Sequence, residues 1–513
     1  MNTLVGPSLD APPFSTLVDA FEALTEQHES VLVIHRGKER FSLTGPEWVH
    51  LAACWSRALQ RAGVGRGDRV LLLLPNDRQF VGAFFGALRL GAVAVPLAWP
   101  AGTNVAHALA ALTPLVEKSD AKALVTPPGL GTPWSVPVVD APDTEPLVTT
   151  ADVSPSAPAF IQFTSGSLGR PRGAVISHRA AIASAWSMGR AMGVGPSDVG
   201  VSWLPLFHDM GLVGALLCPL VHGFPLHLMS PGEFLLHPRR WLDRVHEARG
   251  TLAAAPDFAW DLVARRVSAE GLDLSCWRWP LSGAEPVHRA TLDAFAQRFG
   301  PVGFPGIRPV YGLAENTLGV AFSAGDEPDH LCEGRHVPSV GTPLPDMSVR
   351  IAGEGEGEIL VRGPSLMTGY FRDEESTAAT FDDGWLKTGD LGVIEGGRLY
   401  VTGREKDLVI QSGRKFHPYD IERIVARLVD APPNGVAAFS QQDGDRERLV
   451  VVCEVRGVPD VDLEKRVRGR LADDLGVRAD FVFIVAPGAL ERTTSGKVRR
   501  RAVAQRFAAE VVS

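Results

Sequence analysis

"DRVLLLLPNDRQFVGAFFGALRLGAVAVPL", Asp68 to Leu97, decides the fold class. DRVLLLL becomes continuously apolar with no alternation, the mark of a strand covered on both faces. A helical stretch near Gln79 to Leu90 follows, then a second strand, AVAVPL. Strand, helix and strand in this order predict a parallel sheet with a crossover helix. Phe80 to Trp99 is the most apolar stretch of the chain, but Arg89, the glycines and Pro96 interrupt it. It therefore reads as a buried helix followed by a strand, not as a membrane span.

A similar unit recurs further along, with VGVSWLPL from Val199, a helix-like MGLVGALLCPLVHG from Met210, and FPLHLM from Phe224. The composition shifts near residue 350. IAGEGEGEILVRGP and VIEGGRLYVTGR are short strands with Gly-rich turns, which predict a smaller β-rich piece. After Lys406, IERIVARL, LVVVCEV and LEKRVRGRLADDL read as helix, strand and helix, a compact α+β module. The chain of 513 residues is too long for one core. Its hydrophobic content of 45% and charged content of 21% are those of an ordinary globular protein. A net charge of -8 argues against a general nucleic-acid binder, whereas ATP needs only local positive charge. The five cysteines are far apart and form no CxxC pair. That spacing fits neither a disulfide framework nor a zinc site, and suits a reducing, cytoplasmic location. The start, MNTLVGPSLDAPPF, shows no basic region followed by an apolar core, so no signal peptide is expected.

Phe163 to His178, FTSGSLGRPRGAVISH, gathers hydroxyls, glycines and arginines in one loop. Glycines let backbone N–H groups approach a ligand, hydroxyls donate to phosphate oxygens, and arginines offset charge, so the loop suits a polyphosphate. It is not a Walker A loop: Gly166, Gly169 and Gly173 have the wrong spacing, and Ala174 stands where Lys would. An ordinary Gly/Ser surface turn has the same composition. Four further stretches carry candidate chemistry. In WLPLFHDMGL, His208 and Asp209 precede a Gly-containing helix start, where a capping or core histidine fits equally. SGAEPV, from Ser282, is followed by YGLAEN, from Tyr311. A Tyr beside Gly suits stacking on a flat base, and Glu315 suits Mg²⁺, although a loop Glu is ordinarily just solvated. GWLKTGDLG carries Asp390, and GREKDLVIQSGRKFHP carries Arg404, Lys406 and Lys415. Asp390 and Arg404 suit ribose and phosphate, and equally a surface ion pair. TTSGKVRR places Lys497 on a Gly-Ser turn, where a solvated lysine also fits.

In their order and intervals, TSGSxGxPxGAVxSH, YGLAE, TGD, GRxKD and TSGKxRR resemble the adenylate-forming superfamily of acyl-CoA synthetases, peptide-synthetase adenylation domains and luciferases. The resemblance runs from about Ser15 to Phe507. VSWLPLFHDMGLVG, FPLHLMSPGEFLLHPRRWLDRV, APDFAWDLVARRV and LDLSCWRWPLSGAEPV look like the fatty acyl-AMP ligase branch. So does QSGRKFHPYDIE, in which Arg414 stands where CoA synthetases usually show a second Gly.

The resemblance implies an α/β fold: a large N-terminal domain of stacked α/β sheets with a β-rich subdomain, 1–405, and a small mobile α+β domain, 406–513, hinged at Lys406. It implies ATP and Mg²⁺ as cofactors. A fatty acid becomes an acyl adenylate and passes to a phosphopantetheine thiol, that of an acyl carrier protein or of CoA. Thr164, Ser165, Gly166, Ser167, Gly169 and Arg172 would cradle the phosphates, and Glu315 would hold Mg²⁺. Tyr311, with Gly312, Ala314 and Asn316, would lie against adenine beside Gly283, Ala284 and Glu285. Asp390 and Arg404 would hold the ribose. Lys497 would bridge the carboxylate and the α-phosphate, and His208 would lie by the carboxylate and the thiol entry. The acyl pocket is expected between His208–Leu217 and Phe258–Arg266. Arg499, Arg500 and Arg501 suit an acidic carrier protein or a solvated tail. Two positions depart from the family pattern: Leu168 replaces a usual Thr, and the span from Val320 to Pro345 lacks a longer insertion associated with poor use of CoA. Three readings stand: a ligase loading a carrier protein, an acyl-CoA ligase, and a catalytically silent adenylate-binding protein, which Leu168 alone favours.

Overall fold

The computed structural model describes residues 3–27, 29–100, 105–164, 171–332, 335–411, 414–432, 434–443, 446–457, 460–492 and 498–511. The strand–helix–strand unit is present as Arg69–Leu72, Arg78–Arg89 and Val93–Pro96, with Val70 opposite Ala94 in parallel register. Val70 and Leu72 enter one core and Leu71 and Leu73 another, which is why the run does not alternate. Asp77 caps the helix by accepting from the N–H groups of Gln79 and Phe80 at 2.9 and 3.1 Å. Arg89 is buried and paired with Glu22.

The chain divides into two compact units, one of 1–164, 171–388 and 393–401, the other of 389–392 and 402–513 with 165–170. The first contains a seven-stranded sheet. Its order is Gly369–Tyr370, Arg172–Ser177, Pro158–Thr164, Val93–Pro96, Arg69–Leu72, Ala123–Val125 and Val138–Val139. A nine-stranded sheet holds the second repeat: Gly200–Ser202 and Leu226–Leu228 pair in parallel, Gly200 opposite Leu226. The connection between them is helical, as expected, but Met210–Leu217 is a π-helical run that becomes α-helix at Cys218–His222. Pro219 has no N–H, and its ring would meet the carbonyl of Ala215. The ladder upstream takes the wider spacing, with the Cys218 N–H donating to Val213 O. The predicted β-rich piece is a six-stranded sheet built on the antiparallel pair Ser348–Ile351 and Gly357–Arg362.

In the second unit, Val436–Asp443 pairs antiparallel with Arg446–Glu454, which pairs parallel with Phe481–Val485. Helices Pro418–Val429, Leu463–Leu475 and Arg500–Val511 complete it. Val451 and Cys453 join one apolar cluster, Val450 and Val452 another, so LVVVCEV is also a strand buried on both faces. The fold class read from the sequence is the one observed. Among the described residues no helix is long and apolar enough to cross a membrane.

Candidate active site

The stem of the candidate phosphate loop is a pair of antiparallel strands, Pro158–Thr164 and Arg172–Ser177, with Thr164 opposite Arg172. Ser165, Gly166, Ser167, Leu168 and Gly169 lie outside the described residues, as does Lys497. Thr164 Oγ1 donates to Arg172 O at 3.4 Å. On the far side of Arg172–Ser177 runs Gly369–Tyr370, with Tyr370 opposite Ala174. The Arg172 guanidinium lies over the Tyr370 ring, 5.2 Å from its centroid. The Tyr370 hydroxyl donates to Glu315 Oε1 at 2.9 Å. Burial, and next the Glu315 carboxylate, push the Tyr370 phenol well above its usual range, so it remains a hydrogen-bond donor. Thr164, Arg172, Tyr370 and Glu315 thus form one continuous chain of contacts.

Glu315 sits in a short 3₁₀ turn, Ala314–Asn316. The turn is held from below: Asn316 Nδ2 donates to Gly319 O at 2.7 Å, and Ser365 Oγ donates to Asn316 Oδ1 at 3.0 Å. Asn316 is fully buried, and its amide fixes the turn from within the fold. Thr317, at φ 61°, donates its hydroxyl to Ser365 O at 2.6 Å. A Cβ at Gly312 would lie 2.2 Å from Leu318 O, so only glycine lets the chain double back here. Gly283 follows the strand Trp279–Ser282, which pairs in parallel with the Tyr311-bearing strand Arg308–Gly312. A Cβ at Gly283 would meet Val310 at 2.8 Å. Ala284 has φ 68°, a left-handed backbone that costs a non-glycine residue about 1 kcal/mol and recurs at functional sites. Glu285 Oε1 accepts from the Phe258 N–H at 2.6 Å. That bond ties the candidate adenine segment to the helix Asp257–Arg266, expected to wall the acyl pocket.

His208 is tied to the same sheet. Gln162 Nε2, on the loop-stem strand, donates to Phe207 O at 2.6 Å. Asp209 is buried, accepts from the Met210 N–H at 2.7 Å and lies against His208 Nδ1. In the second unit, Arg404 Nε donates to Asp390 Oδ1 at 2.7 Å. Asp390 is buried and Arg404 half-exposed. Lys406 is exposed within the 3₁₀ turn Glu405–Asp407.

The basic tail differs from expectation. Arg500 is not a free surface cation. Its Nε and Nη2 meet both oxygens of Glu422 at 2.6 and 2.7 Å, and its Nη1 meets Asp407 Oδ2 at 2.9 Å. The guanidinium also lies 4.0 Å from the Tyr419 ring centroid. Three basic residues in a row read as a solvated face because the sequence does not show which carboxylates fold against them.

The family model described as "AMP-binding enzyme" matches residues 21–371. The chain belongs to that family. This AMP-binding enzyme is 34% identical to a Mycobacterium tuberculosis protein provisionally named fatty-acid–CoA ligase FadD21, over 86% of the chain and 88% of the relative. It is 30% identical to the medium-chain-fatty-acid–[acyl-carrier-protein] ligase JamA of Moorena producens, over 97% and 96%. A solved structure from a study of fatty acyl-adenylate ligases of E. coli and L. pneumophila superposes with a TM-score of 0.88 at 31% identity, covering 98% and 99%. The enzyme is therefore an adenylate-forming ligase, and ATP use follows. Tyr370 is a candidate site residue that the motifs did not contain. One signal was available: the chain has four tyrosines, and of these Tyr311 and Tyr370 each stand next to a glycine.

Proposed function

We propose that the protein activates a fatty acid with ATP, releasing pyrophosphate, and passes the acyl group to the phosphopantetheine thiol of an acyl carrier protein. The observation that carries this reading is the contact chain Thr164–Arg172–Tyr370–Glu315, which puts a hydroxyl, a cation and a carboxylate at the root of the phosphate loop. Attack of a carboxylate on the α-phosphorus accumulates negative charge, which oriented donors and cations stabilise better than an acid or base would. Arg172 supplies the fixed charge. Glu315 is half-buried and keeps a hard oxygen donor in place, which fits Mg²⁺, an ion that binds through one or two carboxylates together with substrate phosphates. When bound, that ion would neutralise phosphate charge. Tyr311 and Gly283–Glu285 take the adenine, Asp390 and Arg404 the ribose. Lys497 serves the first half-reaction, and Lys406 is the hinge between the domains 1–405 and 406–513. The names of JamA and of the fatty acyl-adenylate ligases support fatty-acid adenylation.

The name of FadD21, together with the short span after Val320, favours CoA as the acceptor in a second reading. The test is to follow release of pyrophosphate and formation of thioester with a panel of fatty acids, offering a phosphopantetheinylated carrier protein or CoA. Carrier-protein loading that outpaces acyl-CoA formation supports the proposal. Efficient acyl-CoA formation at ordinary CoA concentrations replaces it with the second reading. Absence of pyrophosphate release across the panel, with ATP still bound, leaves a silent adenylate-binding protein.

A further inference from the structure

His208 stands on a loop that leaves the strand Gly200–Ser202 and ends where the π-helical run Met210–Leu217 begins. The backbone of that loop is gripped by two carboxamides from the seven-stranded sheet. Asn76 follows the strand Arg69–Leu72; its Nδ2 donates to Leu204 O at 2.8 Å, and its Oδ1 accepts from the Leu206 N–H at 3.0 Å. Gln162, on the strand Pro158–Thr164, donates from Nε2 to Phe207 O at 2.6 Å. Other polar groups of the loop are taken up locally. The Leu204 N–H donates to Ser202 Oγ at 3.1 Å, the His208 N–H to Pro205 O at 3.1 Å, and the Leu212 N–H to His208 O at 2.8 Å. A Cβ at Gly211 would lie 2.2 Å from Pro205 O, so the loop also packs closely on the turn that follows it.

Gln162 is buried, and its Oε1 has no hydrogen-bond partner among the described residues. Burying that oxygen offsets what the one donated bond contributes, so Gln162 is a poor source of stability. Its place on the strand gives it another use. Gln162 and Thr164 are two residues apart, so their side chains leave the same face of the strand. One holds the loop of His208, and the other stands at the phosphate end beside Arg172. We infer that Gln162, with Asn76 as a second grip, is a positioning residue for acyl-AMP formation: it holds the loop of His208 in a fixed place relative to Thr164 and Arg172. The inference rests on the proposed role of His208 beside the fatty carboxylate. Its consequence is a selective one. A reacting group displaced by about 1 Å costs about 10²-fold in rate. Binding of ATP does not use the His208 loop and is unaffected.

The full-length protein tests this with Gln162→Met, which removes the donor and keeps the bulk, and with Gln162→Leu, which repeats the loss in a different shape. Pyrophosphate release is measured against fatty acid and against ATP, alongside Tm, for both variants, for His208→Ala and for each double variant. The expected result for either Gln162 variant is a loss of about 10²-fold in kcat/KM for the fatty acid, with KM for ATP and Tm nearly unchanged. In the His208→Ala background the same substitutions should cost little more, because Gln162 acts through His208. A full further loss in that background, or a matching rise in KM for ATP, overturns the inference, since Gln162 would then act on the phosphate end or on the fold at large. Wild-type kinetics in both Gln162 variants also overturn it. His208→Ala alone separates the two levels. If that variant is slowed while the Gln162 variants are not, only the role of Gln162 fails. If it releases pyrophosphate as the wild type does, the assigned role of His208 fails and the inference falls with it.

Discussion

Tyr370 touches both charges of the candidate phosphate site at once, its ring under Arg172 and its hydroxyl on Glu315. Removing the hydroxyl leaves the ring, and so the cation–π contact, in place. Glu315 then loses one donor that orients it. Second partners of metal-binding carboxylates typically matter by about 10–100-fold, so Tyr370→Phe should slow fatty-acid-dependent pyrophosphate release by about that factor. The Mg²⁺ concentration for half-maximal rate should rise, while Tm changes little. An unaltered Mg²⁺ dependence would show that Glu315 is oriented by other contacts. Chelation of divalent ions by EDTA should abolish the release, and added Mg²⁺ should restore it. Gly312 makes a second residue-scale prediction. A Cβ there must collide with the Leu318 carbonyl, which is backbone and cannot swing aside. Gly312→Ala should therefore lower both Tm and adenylation, unlike Tyr370→Phe, which lowers only the second.

Among the elements, the helices Leu17–Glu22 and His178–Met192 meet through one imidazole. The Leu17 N–H donates to His178 Nδ1 at 3.3 Å. Burial holds the His178 pKa down to about 4, with nearby Asp19 opposing the shift. The folded state thus stays unprotonated where the unfolded chain, near 6.5, takes up a proton. Stability should be full above about pH 6.5 and fall as pH drops toward 4, by about 1.4 kcal/mol per pH unit for this one group. Denaturant midpoints at pH 7 and pH 5 check this: wild type should lose up to about 2 kcal/mol more than His178→Gln. Nothing in the sequence around His178 announces this contact, because its partner lies 161 positions away. The same reason explains what else the sequence did not show. The strand–helix–strand units were legible because burial on both faces leaves an unbroken apolar run of neighbouring residues. Met210–Leu217 was legible as a helix but not as a π-helix, since its spacing follows from Pro219 and close packing. Arg500 looked like a solvated charge until Glu422 and Asp407 were found folded against it.

At the scale of the whole molecule, the proposed reaction asks one site to do two incompatible things. Lys497 has to be present when the phosphorus becomes pentacoordinate and absent when the thiol arrives. A change of backbone angles at a single exposed residue can meet both demands, as hinges commonly do. Lys406, the proposed hinge, is exposed within the turn Glu405–Asp407. Proline at 406 would fix φ near −65° and also restrict Glu405 before it, opposing any swing without touching a group that meets substrate. Lys406→Pro should therefore form acyl-AMP at close to the wild-type rate in a single turnover. It should then fail to load either a carrier protein or CoA, so that acyl adenylate accumulates bound. Rapid quenching with radiolabelled fatty acid distinguishes adenylate from thioester directly. If Lys406→Pro transferred normally, rotation about this turn would not be how the thiol gains access, and the hinge would have to be sought elsewhere in the chain.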